Sequence, residues 1–177
     1  MNKKVLLPIL IGLCLFLGVL VYKSINDRIV YLDRVKEIDA MVIGRLDTLR
    51  KMELAYRDMK GNFAGSFKEL FDFMENGKYY KIKEVGDNDG EVVNVQRDTT
   101  FLDPKLEILG DANINLERFK LVPPMDTAIF KIYAGTIEQS NVIVPVFEIQ
   151  DPHPFNKDIK PLKVGDKTSA VTSGNWK

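Results

Sequence analysis

The chain has 177 residues, 45% of them apolar, with 25 basic side chains set against 25 acidic ones, enough for one modest folded domain. A net charge of zero leaves no surplus of Lys and Arg to displace counterions from phosphates, so nucleic acid is not an expected partner. One Cys (Cys14) and one His (His153) exclude a Cys/His zinc cage, an internal disulfide and a Cys-His nucleophile pair.

The first element is apolar. Val5 to Tyr22 carries no charge and lies between Lys3 and Lys4 on one side and Lys23 on the other. As a helix it covers roughly 27 Å, close to the hydrocarbon thickness of a bilayer, with Tyr22 suited to the interface and the lysines able to snorkel. Two fates are open for such a segment, an uncleaved anchor and a cleaved signal peptide. Lys23 to Arg28 offers no small-x-small cleavage site and the run is longer than a usual signal core, which favours the anchor. Leu13 stands where a lipoprotein signal needs a small residue before Cys14, so Cys14 is expected to face lipid or pack on a helix. The short basic leader predicts residues 1–4 in the cytoplasm, 5–22 across a membrane, and residues 23–177 outside the cytoplasm.

Between Pro8 and Pro104 there is no proline, and the first turn-like cluster after the membrane is Lys60-Gly61-Asn62. A single helix over residues 9–60 is therefore expected, roughly 78 Å long, with a stem at 23–60 and a weak point at Gly44, which costs ~1 kcal/mol relative to Ala. Ile25, Ile29, Leu32, Val35, Ile38, Val42, Leu46, Leu49, Met52, Tyr56 and Met59 recur in steps of three or four and form a seam on one face. Asp33, Lys36, Glu37, Arg45, Arg50 and Lys51 fall on the other faces. The distal part of the seam has the pattern of a helix packing on the sheet of its own domain. The proximal part, Ile25, Ile29, Leu32, Val35, Ile38 and Val42, is the candidate interaction seam for a coiled coil or helix bundle with other copies or protein partners.

A head over residues 61–150 follows. Ser66-Phe67-Lys68-Glu69 is a capping box that starts a short helix with Phe67, Leu70, Phe71 and Met74 on one face, ending at Asn76-Gly77 with Gly77 expected in the left-handed conformation. Residues 78–85 and 91–95 flank GDNDG and read as a strand pair. Phe119 to Val122 reads as a strand before Pro123-Pro124. Ala128 to Ile137 and Val142 to Ile149 form the clearest hairpin, with Pro145 marking the second strand as an edge or bulged one. Residues 151–177, rich in Pro, Lys, Ser and Gly, are expected to be an irregular, partly mobile tail with one short strand near Leu162 to Val164. The fold class is α+β: an N-terminal helix continuing into a long amphipathic helix, then a small head with a short helix and an antiparallel sheet.

That order of parts, together with Tyr56, Gly61, Phe63 and Leu70 at the end of the long helix and the start of the next, resembles the type IV pilin and type II secretion pseudopilin superfamily over residues 5–75. The resemblance implies a lollipop-shaped subunit of a secretion or pilus machine. No acidic residue occurs from Met1 to Asn26, Leu13 follows Gly12, and Ala64 stands where the family usually has Pro, so the resemblance implies an atypical relative without the prepilin cleavage motif. Ala134 to Glu138 and Val144 to Glu148 also look like segments of uncharacterised single-pass membrane proteins of the Bacteroidota, a likeness that carries no function.

Candidate chemistry is sparse. Asp87, Asp89 and Glu91 in GDNDGE suggest Ca²⁺, but the spacing fails the EF-hand pattern, and Asp or Asn before Gly is what a tight turn needs. His153 sits between two prolines as a solvated loop residue, and Trp176 can anchor the chain's end in a groove or on a partner. No catalytic residue, cofactor or metal site is expected, nor any buried acid with a raised pKa. The expected function is non-enzymatic: a membrane-anchored structural or assembly subunit of a bacterial envelope machine, acting through helix–helix association and head contacts, with homo- or hetero-oligomers formed along the long helix. The alternative is a membrane-tethered, extracytoplasmic ligand-binding module.

Overall fold

The computed structural model describes residues 3–85, 96–156 and 160–176, and of residues 3–10, 81–85 and 96–101 it describes the backbone. The chain is α+β, with a long N-terminal helix and a small three-stranded antiparallel sheet. It divides into two compact units, Met1–Ala40 and Met41–Lys177.

Helix α1 runs Lys3–Lys60. It begins two residues ahead of the expected 5–22 segment and takes in Pro8 in its second turn. It continues through Gly44, whose carbonyl accepts from the Thr48 hydroxyl at 2.9 Å. It stops at Gly61, where φ is +80° and the N–H bonds to the Arg57 carbonyl at 2.7 Å, a left-handed end that favours glycine. Arg57 and Lys60 in the last turn complement the negative end of the helix dipole.

In the first unit, every described side chain from residue 11 to 34 is exposed, and Val35 and Ile38 are buried. Lys36 and Asp33 make an exposed pair at 3.8 Å.

In the second unit the stripe of α1 is core. Val42, Leu46, Leu49, Met52 and Ala55 are buried, and each large side chain so buried is worth ~1.5–3 kcal/mol. Helix α2 spans Phe67–Asn76 and buries Leu70, Phe71, Phe73 and Met74. Its capping box is displaced by one residue: the Ser66 hydroxyl accepts from Glu69 N–H at 3.3 Å, while the Glu69 carboxylate takes the N–H of Gly65 rather than of Ser66, at 3.0 Å. The expected left-handed cap at Gly77 is corrected. Gly77 is extended (φ −73°, ψ 163°), and glycine is needed there for space, because a Cβ would come within 2.2 Å of the Phe73 carbonyl oxygen.

Strand β1 (Tyr79–Val85) pairs antiparallel with β2 (Gln96–Leu102), Tyr79 opposite Leu102. This corrects the expected partner at 91–95: the residues opposite β1 are 96–102, although strand preference alone favours the valines of 91–95. GDNDG and residues 91–95, with Asp87, Asp89 and Glu91, lie outside the described residues. Helix α3 (Pro104–Leu109) follows, capped by the Asp103 carboxylate and ended by left-handed Gly110.

The strand expected at Phe119 to Val122 is also corrected. Leu116–Lys120 is a 3-10 helix, and only a single bridge, Leu121 to Ile129, follows it. Pro123-Pro124 has no N–H to extend a ladder, so the chain folds back at once, with Val122 N–H on the Ala128 carbonyl and Phe130 N–H on that of Lys120.

Strands β3 (Lys131–Gln139) and β4 (Val142–Gln150) form the expected hairpin. Ser140 and Asn141 both have positive φ, 52° and 62°, the two-residue turn whose twist matches the strands it joins. Strand β5 (Lys163–Gly165) adds to β4 at Glu148 to Gln150 only, so Pro145 lies where β4 has no partner on its second side. Phe147 and Ile149 are buried, and Phe147 packs on Phe63 at 4.5 Å.

The C-terminal residues are tied down rather than loose. Val164 is fully buried, Val164 and Gly174 form a bridge, and the Asn175 side chain bonds Lys163 N–H and the Pro161 carbonyl. Trp176 lies against Gly174 so closely that a Cβ there would meet its ring at 2.3 Å. Backbone pairing, rather than side-chain periodicity, holds this segment, which explains why the sequence reads as a tail.

Candidate functional site

The interaction seam predicted from periodicity is split. Ile25, Ile29 and Leu32 are 57%, 52% and 42% exposed, whereas Val35, Ile38 and Val42 are 5%, 8% and 2% exposed. The last three are therefore corrected from docking surface to buried side chains. Preceding the seam, Ile11, Leu13, Leu15, Phe16, Val19 and Tyr22 are all exposed, on every side of the helix. Among the described residues no helix is long and apolar enough to cross a membrane. The first residues of the Val5 to Tyr22 run, 5–10, are described only as backbone.

Arg45 and Arg50, assigned by spacing to the solvent faces, instead hold distant chain to α1. The Arg45 guanidinium donates to the Leu121 carbonyl and the Asp126 carboxylate, both at 2.6 Å. Arg50 Nε donates to the Thr172 carbonyl at 2.6 Å, and its guanidinium lies 3.6 Å from Asp47. Neither target has a sequence signature, being mostly carbonyl oxygens.

The largest departure is Glu53. This carboxyl is completely buried, contrary to the expectation of no buried acid. Its Oε2 accepts the Ala64 N–H at 2.9 Å, and its Oε1 is buried with no hydrogen-bond partner. Burial raises its pKa to about 8, against the bond from Ala64, which favours the ionised form; the negative Glu69 adds a smaller upward push. Burial, with Glu69 and Glu53 behind it, also raises Tyr56, whose ring meets Phe73 edge-on at 5.3 Å. A sequence signal for Glu53 existed: Leu46, Leu49, Glu53 and Tyr56 are spaced three, four and three apart, so an acid stands in register with the apolar stripe.

Other polar groups are structurally engaged. Lys163 Nζ bonds Glu148 at 2.7 Å and Asp166 at 3.0 Å, and the bond to Glu148 foremost raises the lysine's pKa. Asp166 also takes the Thr168 hydroxyl and N–H, which with Lys163 hold its carboxyl well below the usual range. Asp151, buried, accepts the N–H of His153, whose side chain is exposed in its loop. Among the described residues no group of three His, Cys, Asp or Glu is placed to hold a metal. The clefts, such as the one lined by Tyr56, Lys60, Glu69 and Asp72, are open, and no nucleophile and base converge in them. The side-chain geometry offers an exposed apolar helix face and, among three buried acids in the described residues, one with an unpartnered oxygen, Glu53. Comparison with protein-family models, curated proteins and solved structures finds no match to this chain.

Proposed function

We propose that the chain is a membrane-anchored structural or assembly subunit of a bacterial envelope machine of secretion or pilus type, pilin-like in plan and non-enzymatic. In this reading residues 5–22 lie in the inner membrane, the leader is cytoplasmic, and the remainder works in the periplasm through helix–helix association and head contacts. One observation carries it: α1 exposes apolar side chains all round from Ile11 to Tyr22, then at helical spacing at Ile25, Ile29 and Leu32. An apolar surface of that kind is costly in water and suits lipid first and a neighbouring helix next. The resemblance of residues 5–75 to pilins and pseudopilins gives the class of machine.

Crosslinking of the full-length protein in native membranes, with intact-mass analysis of what is recovered, tests the reading. Recovery at full-length mass, joined through residues 25–32 to other copies or to secretion or pilus components, is the expected result. A chain recovered alone and starting at a new residue after the apolar run overturns it, and leaves a released binding module.

A further inference from the structure

Glu53 projects from α1 into the core of the second unit, where Phe63 and Ala64 of the 61–66 loop, Leu70 and Met74 of α2, and Phe147 of β4 are buried. A carboxylate in such a place needs a cation or several donors. Glu53 has one donor, the Ala64 N–H, and its other oxygen has none.

The surrounding charges do not help it. On α1, Arg50 is held by the Thr172 carbonyl and Asp47, Lys51 pairs with Asp47, and Arg57 pairs with Asp58 and lies over the Phe63 ring at 5.6 Å. Glu69 of α2 resists a negative charge on Glu53, Tyr56 of α1 is a neutral phenol, and the exposed Lys60, which lines an open cleft with both, makes no ion pair with Glu53. On the sheet side the buried acids have their own partners, Lys163 for Glu148 and the His153 N–H for Asp151. Among the described residues, then, no cation is available to Glu53.

We propose that Glu53 is a proton-operated latch on the joint between α1 and α2: protonated, it seals the 61–66 loop onto the helix through Ala64, and ionised, it releases that loop. The neutral acid can accept from Ala64 without placing a charge in the core, whereas the carboxylate must draw in water or move towards it, and the loop it holds has exposed residues on both sides of Ala64. Gly61, Asn62 and Gly65 on either side of Phe63 and Ala64 are exposed, so the loop can lift without unpicking the sheet.

The direction with pH follows from the raised value. Below about 4.5 the closed and the open loop both hold the proton; from there to about 8 only the closed loop does. Closure is therefore lost as pH rises, by up to ~10-fold in the loop's closing equilibrium constant per pH unit, levelling off above about 8. The test is amide hydrogen exchange on the full chain in detergent micelles from pH 5 to 9.5, read as protection factors. Protection at Ala64 is expected to fall as pH approaches 8 while Ile149 in the sheet stays protected, and in Glu53→Gln the Ala64 value is expected to be flat with pH. Equal loss at Ala64 and Ile149, or the same pH dependence in Glu53→Gln, overturns the latch. If Glu53→Gln does not fold, ¹³C titration of the glutamate carboxyls in the wild-type chain decides: one midpoint near 8 supports the latch, and all midpoints below 6 overturn it.

Discussion

The two halves of α1 are written in the same alphabet and spend it differently. From Ile11 to Leu32 its large apolar side chains are 42–73% exposed, and from Val42 to Met52 the members of the stripe are at most 2% exposed. The charged residues divide likewise: Lys36 and Asp33 make a surface pair, whereas Arg45 and Arg50 reach carbonyls late in the chain. Periodicity states which residues share a face and is silent on whether that face has found a partner. In the exposed half the face is without cover among the described residues.

The largest test of this contrast is truncation within the stripe. Leu49→Ala, at a site with no exposure, is expected to cost ~2–5 kcal/mol, while Ile25→Ala is expected to stay within ~0.5 kcal/mol, both by denaturant unfolding in detergent. If both cost the same, the halves are not different in kind. Next, Arg45→Ala is expected to cost ~1–3 kcal/mol, because it strips a charged donor from Leu121 and Asp126, against less than ~0.5 kcal/mol for Lys36→Ala.

Association sharpens the comparison from the other side. Ile29→Glu with Leu32→Glu is expected to leave the unfolding midpoint of the second unit unchanged and to abolish crosslinking through α1; retention of the crosslinks places association elsewhere. Two glycines contrast in the same way, the second with the smallest effect. Gly77→Ala is expected to destabilise by ~1–3 kcal/mol, because its Cβ meets the Phe73 carbonyl oxygen. Gly44→Ala, with nothing within 4 Å, is expected to stabilise by up to ~1 kcal/mol, as a shift in thermal midpoint shows.

What was legible followed from local chemistry. Gly61 ends α1, Ser66 caps α2, and Ser140-Asn141 turns β3 into β4, each an interaction among residues a few positions apart. Helix α3 was missed, because its six residues are too few for periodicity to show, although Asp103-Pro104 before it and Gly110 after it are start and stop signals. The partner of β1, the anchoring of residues 163–175 and the clamps from Arg45 and Arg50 were not legible. All three depend on backbone carbonyls and N–H groups brought together over long separations, and every residue type supplies those. Glu53 is intermediate: its spacing placed it on the buried stripe, but its charge argued for the surface, and only the fold decides between the two.

The clamp from Arg50 to Thr172 joins residues 122 positions apart. Synthesis makes α1 first, yet this lock cannot close until residue 172 has been added. For that interval Leu46, Leu49 and Met52 await parts of their cover, and the nascent chain carries a sticky helix. A chain stalled or cut shortly before Thr172 thus lacks this fastener, so quality control that recognises exposed apolar helix has a physical means of telling molecules that carry it from those that do not.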